Sequence, residues 1–106
     1  ALKVGGENVS AREVEDACRS VAGIEDLAVV AKRHEMLDMV PVVFVIRAET
    51  AGPEADMSAA IIAACRNVLA DFKVPRAVYF VDEFPTAELG KISKKDLREL
   101  ADSFDA

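Results

Sequence analysis

A turn-rich stretch at residues 85–95 contains the side chain best suited to chemistry, that of Lys91. Gly90 precedes it, and Ser93 with Asp96 forms a helix N-cap pattern, so Lys91 is predicted to lie just before a helix. Glycine at this position lets the backbone come close to a ligand. A lysine on such a loop is a compact positive charge suited to carboxylate or phosphate oxygens, although a solvated surface lysine would show the same pattern.

Length and charge exclude several classes of partner. The chain has 106 residues, enough for one domain with a single modest core. Lys and Arg number 13 against 19 Asp and Glu, which gives a net charge of −6. An acidic chain without a basic run gives no basis for binding nucleic acid or an anionic membrane. We also expect no membrane span and no signal peptide, because the apolar runs are short.

Two cysteines and a single histidine limit the possible metal and redox chemistry. Cys18 and Cys65 are predicted on the apolar faces of helices, where buried thiols are favoured over a disulfide, a nucleophile or a metal site. His34 is the only histidine, so a Cys/His metal set cannot be assembled. We therefore predict no metal site in this chain and a cytoplasmic location.

Apolar periodicity predicts one α+β domain over residues 1–106, in which flanking helices pack on a small three-stranded β-sheet preceded by a short N-terminal β-hairpin. The hairpin turn is predicted at Gly5 and Gly6, since paired glycines supply the positive φ angles of tight turns. The predicted hairpin covers residues 1–9, the strands 27–31, 40–46 and 77–81, and the helices 11–21, 57–69 and 94–103.

Local signals also predict how the helices begin and what they bury. Ser10 and Glu13 form a capping-box pattern at the first helix, and Asp56 or Ser58 is expected to cap the second. The buried stripe of the second helix is predicted to contain Ile61, Ile62, Cys65, Val68 and Leu69.

Two polar regions are expected to be solvated. Residues 32–39 are interpreted as a connection in which most residues are solvated. Pro41 is expected at the start of a strand or on a sheet edge, because proline cannot donate a ladder hydrogen bond. The basic residues at the start of the last helix are interpreted as a solvated face, with a patch facing a nucleotide as the alternative. They are Lys94, Lys95 and Arg98.

Three separated stretches, in this order, resemble the C-terminal domain of the AMP-forming acyl-CoA synthetases, the adenylate-forming ligase superfamily. They are residues 2–15 with the run Gly-Gly-Glu-Asn, residues 70–76 with the run Ala-Asp-Phe-Lys-Val-Pro-Arg, and the lysine stretch at 85–95. The resemblance covers essentially the whole chain and is closest to the CoA ligases. It implies that the chain is the mobile C-terminal (lid) domain of a larger enzyme whose N-terminal domain is absent from these 106 residues.

The resemblance implies a role for the lysine loop. Lys91 matches the adenylation lysine of the family, and Gly90 would support the loop that presents it. A cation placed there would stabilise the charge that develops when a carboxylate attacks the α-phosphate of ATP.

The resemblance also implies a route for coenzyme A. Gly5 and Gly6 match a glycine turn that borders the channel for the pantetheine arm, although a hairpin alone would explain both glycines. The nucleotide end of CoA would meet a second segment that contains an aromatic and two basic residues. The alternative interpretation is that the aromatic residue belongs to the core and that the charged residues are solvated. The residues of this segment are Phe72, Lys73 and Arg76.

The implied reaction has two half-reactions. A carboxylic acid and ATP give an acyl-adenylate and pyrophosphate, and the thiol of CoA then displaces AMP. ATP and Mg would be bound mainly by the N-terminal domain, with CoA as co-substrate, and the isolated 106 residues are expected to be inactive. Two alternatives remain: a parent ligase that loads the phosphopantetheine of a carrier protein, and a free-standing, non-catalytic interaction module.

Overall fold

The computed structural model describes residues 2–4, 6–36 and 38–104. It has the predicted α+β architecture, with two short 3-10 turns at Asp71–Lys73 and Glu88–Gly90. The strands are β1 (Leu2–Val4), β2 (Glu7–Val9), β3 (Ile24–His34), β4 (Asp38–Arg47) and β5 (Val78–Phe80), and the helices are α1 (Ala11–Cys18), α2 (Glu54–Val68) and α3 (Lys94–Ser103).

The strands form a hairpin and a separate mixed sheet. β1 and β2 pair antiparallel, with Val4 opposite Glu7 across the predicted glycine turn. The larger sheet has the order β3-β4-β5, in which β3 and β4 are antiparallel while β4 and β5 are parallel. A free edge of the sheet therefore runs along β3.

The two faces of the larger sheet are covered by different elements. Because successive side chains of a strand point to opposite faces, Val29 and Val43 lie in one core cluster, whereas Val30 and Val42 lie in the other. The first cluster also contains buried residues of the β1–β2 hairpin, α1 and α2. The second is covered by α3 through Leu97. The hairpin and the last helix thus pack against opposite faces of one sheet.

The predicted caps of α1 and α3 are confirmed. The Ser10 hydroxyl accepts a hydrogen bond from the N–H of Glu13 at 3.3 Å. The Ser93 hydroxyl accepts one from the N–H of Asp96 at 3.2 Å. The reciprocal half of the capping box does not form, because the Glu13 carboxylate accepts from the ammonium group of Lys73 at 2.9 Å instead.

The other helix boundaries depart from prediction. α1 ends at Cys18, one turn earlier than expected. α2 begins after Pro53 without a side-chain cap, so the predicted caps at Asp56 and Ser58 were wrong. Val68 is 70% exposed and lies outside the buried stripe. None of the helices in the described ranges combines the length and apolar character that a bilayer span requires.

The expected connection at residues 32–39 was wrong at both ends, because β3 extends to His34 and β4 begins at Asp38. Arg33, Glu35 and Met36 are exposed, as expected of a solvated segment. Lys32 is 6% exposed. Its ammonium group donates to the carbonyl oxygens of Ala101 and Phe104 at the end of α3. The charge is tolerated inside because it satisfies carbonyl groups that a helix C-terminus leaves unpaired.

Pro41 lies within β4, the central strand, rather than at a strand start or sheet edge. It is opposite Ala31 of β3, and its carbonyl oxygen accepts from the N–H of Arg76 at 2.8 Å. The β4–β5 ladder begins only at Val43 and Val78, so the missing N–H of Pro41 falls beyond it.

Cys18 and Cys65 are free thiols, fully buried between α1 and α2, as predicted. Their sulfur atoms lie 3.5 Å apart and share a hydrogen bond. That hydrogen bond and burial raise the pKa of the Cys18 thiol. Both groups therefore belong to the packed core.

Candidate functional site

The lysine loop, defined as residues 85–93, folds back on itself between β5 and α3. The N–H of Ala87 donates to the carbonyl oxygen of Lys91 at 2.6 Å. The N–H of Ser93 donates to the carbonyl oxygen of Pro85 at 2.8 Å. These two bonds close the loop through its own backbone.

The tip of the loop adopts a left-handed conformation at two successive residues. Leu89 has φ 64° and Gly90 has φ 74°. Glycine adopts this conformation readily, which confirms the expectation for position 90, whereas a leucine there is strained by roughly 1–2 kcal/mol. Leu89 is also 94% exposed, so packing does not compensate for its strain. The two residues reverse the chain immediately before Lys91.

Lys91 is exposed and its backbone has returned to an extended conformation, with φ −77° and ψ 148°. None of the described residues forms a hydrogen bond or an ion pair with its ammonium group. The next residue, Ile92, packs with Phe84 against the α3 face of the sheet. The loop therefore presents a solvated cation from a backbone that is anchored one residue away.

Lys94 does not belong to a solvated helix face. Its ammonium group donates to the Glu15 carboxylate at 2.7 Å and to the carbonyl oxygen of Val29 at 3.0 Å. The same Glu15 oxygen accepts from the N–H of Val29 at 2.9 Å. The expectation was therefore wrong for Lys94, while Lys95 and Arg98 are exposed as expected.

The β1–β2 turn and the segment after α2 meet at one shallow cavity of about 220 Å³. Phe72, which is 38% exposed, and Arg76 lie on one side of it. Val4 and Glu7, which flank the glycine turn, lie on the other. The structure thus brings together two stretches that are far apart in the sequence.

One of the two glycines of the turn lies within the described residues. Gly6 has φ 88° and is exposed, with open space where a Cβ would lie. Gly5 lies outside the described residues. A positive φ at Gly6 is what a two-residue hairpin turn requires.

Lys73 is less accessible to a ligand than Phe72 and Arg76. Its side chain is 25% exposed and pairs with Glu13 of α1 at 2.9 Å. The ammonium group also lies 5.8 Å from the ring centroid of Phe72. Lys73 therefore ties the segment to α1, and the residues of the segment that line the cavity are Asp71, Phe72 and Arg76.

The described part of the chain was examined for clusters of potential metal ligands. Within residues 2–4, 6–36 and 38–104, no group of three or more His, Cys, Asp or Glu side chains is arranged to hold a metal ion.

Sequence reasoning proposed Lys91 and the glycine turn as candidates but missed the contacts of Glu15, Lys94 and Lys32. Glu15 was interpreted only as part of the first stretch of the resemblance, and its partner Lys94 is 79 residues away. A lysine in the first turn of a helix, where positive charge opposes the helix dipole, was the one available signal.

Comparison with known proteins agrees with this geometry. Trans-cinnamate:CoA ligase from Petunia hybrida is 42% identical over 100 residues, which cover 94% of this chain and 17% of that protein. The ATP-bound crystal structure of MatB from Rhodopseudomonas palustris superposes with a TM-score of 0.87 at 28% identity, over 96% of this chain and 20% of that one. The anthranilate CoA ligase AuaEII in complex with anthranoyl-AMP gives 0.85 at 32% identity, over 95% and 20%.

The chain spans about a fifth of the length of these relatives. The family model for the AMP-binding enzyme C-terminal domain matches residues 13–91, from Glu13 of α1 to the lysine of the loop. This match covers more than half of the chain. The chain therefore belongs to the AMP-binding enzyme C-terminal domain family.

Proposed function

We propose that this chain acts as the C-terminal domain of an AMP-forming acyl-CoA ligase, in which it supplies the adenylation lysine and one wall of the CoA channel. Its partner would be an N-terminal domain on the same polypeptide, and the substrates a carboxylic acid, ATP and CoA. The observation that carries the proposal is that Lys91 is exposed and has no partner among the described residues, while its neighbour Ile92 and the hairpin residue Val4 pack on opposite faces of the sheet.

Lys91 would act in the first half-reaction. A carboxylate oxygen attacks the α-phosphorus of ATP, the new oxygen–phosphorus bond forms, and the bond to the bridging oxygen of pyrophosphate breaks. Negative charge develops on the phosphoryl and bridging oxygens. A positioned ammonium group stabilises that charge more in the transition state than in the ground state.

The anchoring of the loop suits this role. Lys91 lies next to Ile92, which is packed in the core, so its Cα has little freedom while its side chain reaches into solvent. A flexible stem on a fixed backbone lets the cation meet a substrate bound by another domain without a large loss of backbone entropy.

The cavity of about 220 Å³ would act in the second half-reaction. The CoA sulfur attacks the carbonyl carbon of the acyl-adenylate and AMP leaves. The aromatic face of Phe72 suits stacking on adenine, and the guanidinium group of Arg76 suits phosphate oxygens. At the glycine turn, the absence of side chains leaves room for the thin pantetheine arm.

The two sites serve different half-reactions and are built from different elements, the loop before α3 and the β1–β2 hairpin with the segment after α2, so both could act only if the domain turns between the steps. The principal alternative is a parent ligase that loads the phosphopantetheine of a carrier protein. It would use the same turn, but it has no need for the contacts of Phe72 and Arg76 with a CoA nucleotide.

The test is an assay of the full polypeptide that carries this segment. We expect it to convert a carboxylic acid, ATP and CoA into acyl-CoA, AMP and pyrophosphate, whereas the 106 residues alone are expected to be inactive. Products are separated by liquid chromatography, with a panel of aromatic and aliphatic acids as substrates. Formation of ADP, or exchange of pyrophosphate into ATP by the isolated segment, would contradict the proposal. A preference for a carrier protein over CoA would favour the alternative.

A further inference from the structure

We propose that Glu15 and Lys94 form a positioning tether for the lysine loop, and that they control the adenylation step without touching its substrates. The inference rests on the proposed function, because it assigns a purpose to the geometry around Lys91. Glu15 lies within the family match, and Lys94 lies three residues beyond its end.

The tether closes the free edge of the sheet. Val29 of β3 is opposite Val43 of β4. The N–H of Val43 forms its hydrogen bond on the β5 side of β4, so these two residues do not bond to each other. The N–H and the carbonyl group of Val29 therefore point away from β4. The Val29 N–H is satisfied by the Glu15 carboxylate at 2.9 Å, and its carbonyl oxygen by the Lys94 ammonium group at 3.0 Å. The two side chains replace a neighbouring strand at this point.

The tether also joins the two layers of the domain. Glu15 belongs to α1, which packs on one face of the sheet, and Lys94 belongs to α3, which packs on the other. Their 2.7 Å contact crosses the edge of β3 between them. Side-chain exposure is 15% for Glu15 and 39% for Lys94, so the contact is partly shielded from water. Shielded, charge-assisted hydrogen bonds of this kind hold geometry better than exposed ion pairs.

Lys94 lies three residues after Lys91, and the intervening residues transmit its position. Ile92 packs in the core, and Ser93 both caps α3 and closes the lysine loop onto Pro85. A lysine in the first helical turn would by itself oppose the helix dipole. Its pairing with Glu15 offsets that cost and fixes the rotation of α3 relative to β3. The orientation of α3 in turn fixes the base of the loop.

The consequence is a selective effect on one half-reaction. Loosening the base of the lysine loop should misplace the Lys91 ammonium group, and a misplacement of about 1 Å can reduce a rate roughly 100-fold. The glycine turn packs on the opposite face through Val4, so the thiol step should be unaffected. A residue that merely stabilised the fold would weaken both steps together.

Glu15→Gln is the most informative change. The glutamine oxygen can still accept the Val29 N–H, so the sheet edge stays satisfied while the charge that holds Lys94 is lost. Lys94→Met removes the tether from the other side, and Lys94→Arg retains the charge and the donor. Glu54→Gln is the matched control, because it neutralises the carboxylate of another ion pair, with Arg47 at 3.5 Å, neither member of which belongs to the lysine loop or contacts Lys94.

The experiment measures three quantities on the full polypeptide: single-turnover formation of acyl-AMP, thioester formation from supplied acyl-AMP, and hydrogen exchange of the peptide that contains the lysine loop. We expect Glu15→Gln and Lys94→Met to slow adenylation roughly 10- to 100-fold, to leave the thioester step unchanged and to speed exchange in the loop. Lys94→Arg should restore most of the adenylation rate, and Glu54→Gln should behave as the unaltered protein.

Equal losses in both half-reactions, or unchanged adenylation with unchanged exchange, would overturn the inference. Lys91→Ala is included to separate it from the proposed function. If Lys91→Ala spares adenylation, the proposed function is wrong, and the exchange data still decide the tether: faster exchange in Glu15→Gln supports it and unchanged exchange refutes it.

Discussion

Val4 and Ile92 pack on opposite faces of the same sheet. Val4 closes the strand before the glycine turn and lies in the core shared with α1 and α2. Ile92 follows Lys91 and packs in the core beneath α3. One sheet therefore lies between the two candidate sites and joins them.

The first prediction concerns this separation. Gly6→Leu should slow thioester formation from acyl-AMP by roughly tenfold, because a side chain at the turn would narrow the proposed pantetheine route, and should spare adenylation. Asn8→Leu, at an exposed position of the same hairpin, is the control. Stopped-flow measurement of both half-reactions provides the check, and a loss confined to adenylation would show that the turn has another role.

The second prediction compares two exposed glycines. Gly90→Ala should destabilise the domain by about 1 kcal/mol, because alanine must adopt the φ of 74° found there. Gly52→Ala is the matched control: a Cβ there also meets no atom within 4 Å, and its φ is not positive. Urea unfolding measures both, and equal effects of the two substitutions would contradict the assigned strain.

The third prediction concerns the buried lysine. Lys32→Met should cost about 2 kcal/mol of unfolding free energy, because the carbonyl oxygens of Ala101 and Phe104 lose their charged donor. Lys3→Met, at an exposed position of β1, is the control. Denaturant unfolding followed by circular dichroism gives both values. A change as small as that of the control would mean that the α3 carbonyls do not depend on Lys32.

The buried thiols give a prediction about pH. The hydrogen bond to Cys65 and burial raise the pKa of the Cys18 thiol, so the folded state keeps a proton that the unfolded state releases. The same hydrogen bond lowers the pKa of the Cys65 thiol, so the folded pair keeps one proton, that of Cys18, above the ordinary thiol pKa of 9.0. Stability should therefore fall as the pH rises above 9.0. In Cys18→Ala this alkaline loss should be smaller. Unfolding free energies measured from neutral to alkaline pH test the sign, and increasing stability above that pH would refute it.

Much of the fold follows from local signals in the sequence. The glycine turn, the caps at Ser10 and Ser93 and the limits of α3 were all predicted correctly, because each depends on residues within one turn of one another. The errors lie where tertiary contacts decide. Residues 32–39 appear polar in the sequence, yet Lys32 is buried because α3 supplies acceptors for its charge.

In the candidate site too, local features could be predicted from the sequence and long-range contacts could not. The exposed position of Lys91 before a helix could be predicted from its neighbours in the chain, since the loop is closed by hydrogen bonds among residues 85–93 alone. The contact between Glu15 and Lys94 could not, since it joins residues 79 positions apart across a sheet edge. The same is true of the meeting of Phe72 with the glycine turn.

The central claim is that Lys91 is the adenylation lysine, and the most direct measurement is the rate of each half-reaction in Lys91→Ala of the full polypeptide. Lys95→Ala, an exposed lysine four residues later, is the control. The account predicts that Lys91→Ala slows acyl-AMP formation roughly 100-fold or more while thioester formation from supplied acyl-AMP is retained. An equal loss in both half-reactions, or adenylation at the rate of Lys95→Ala, would contradict it.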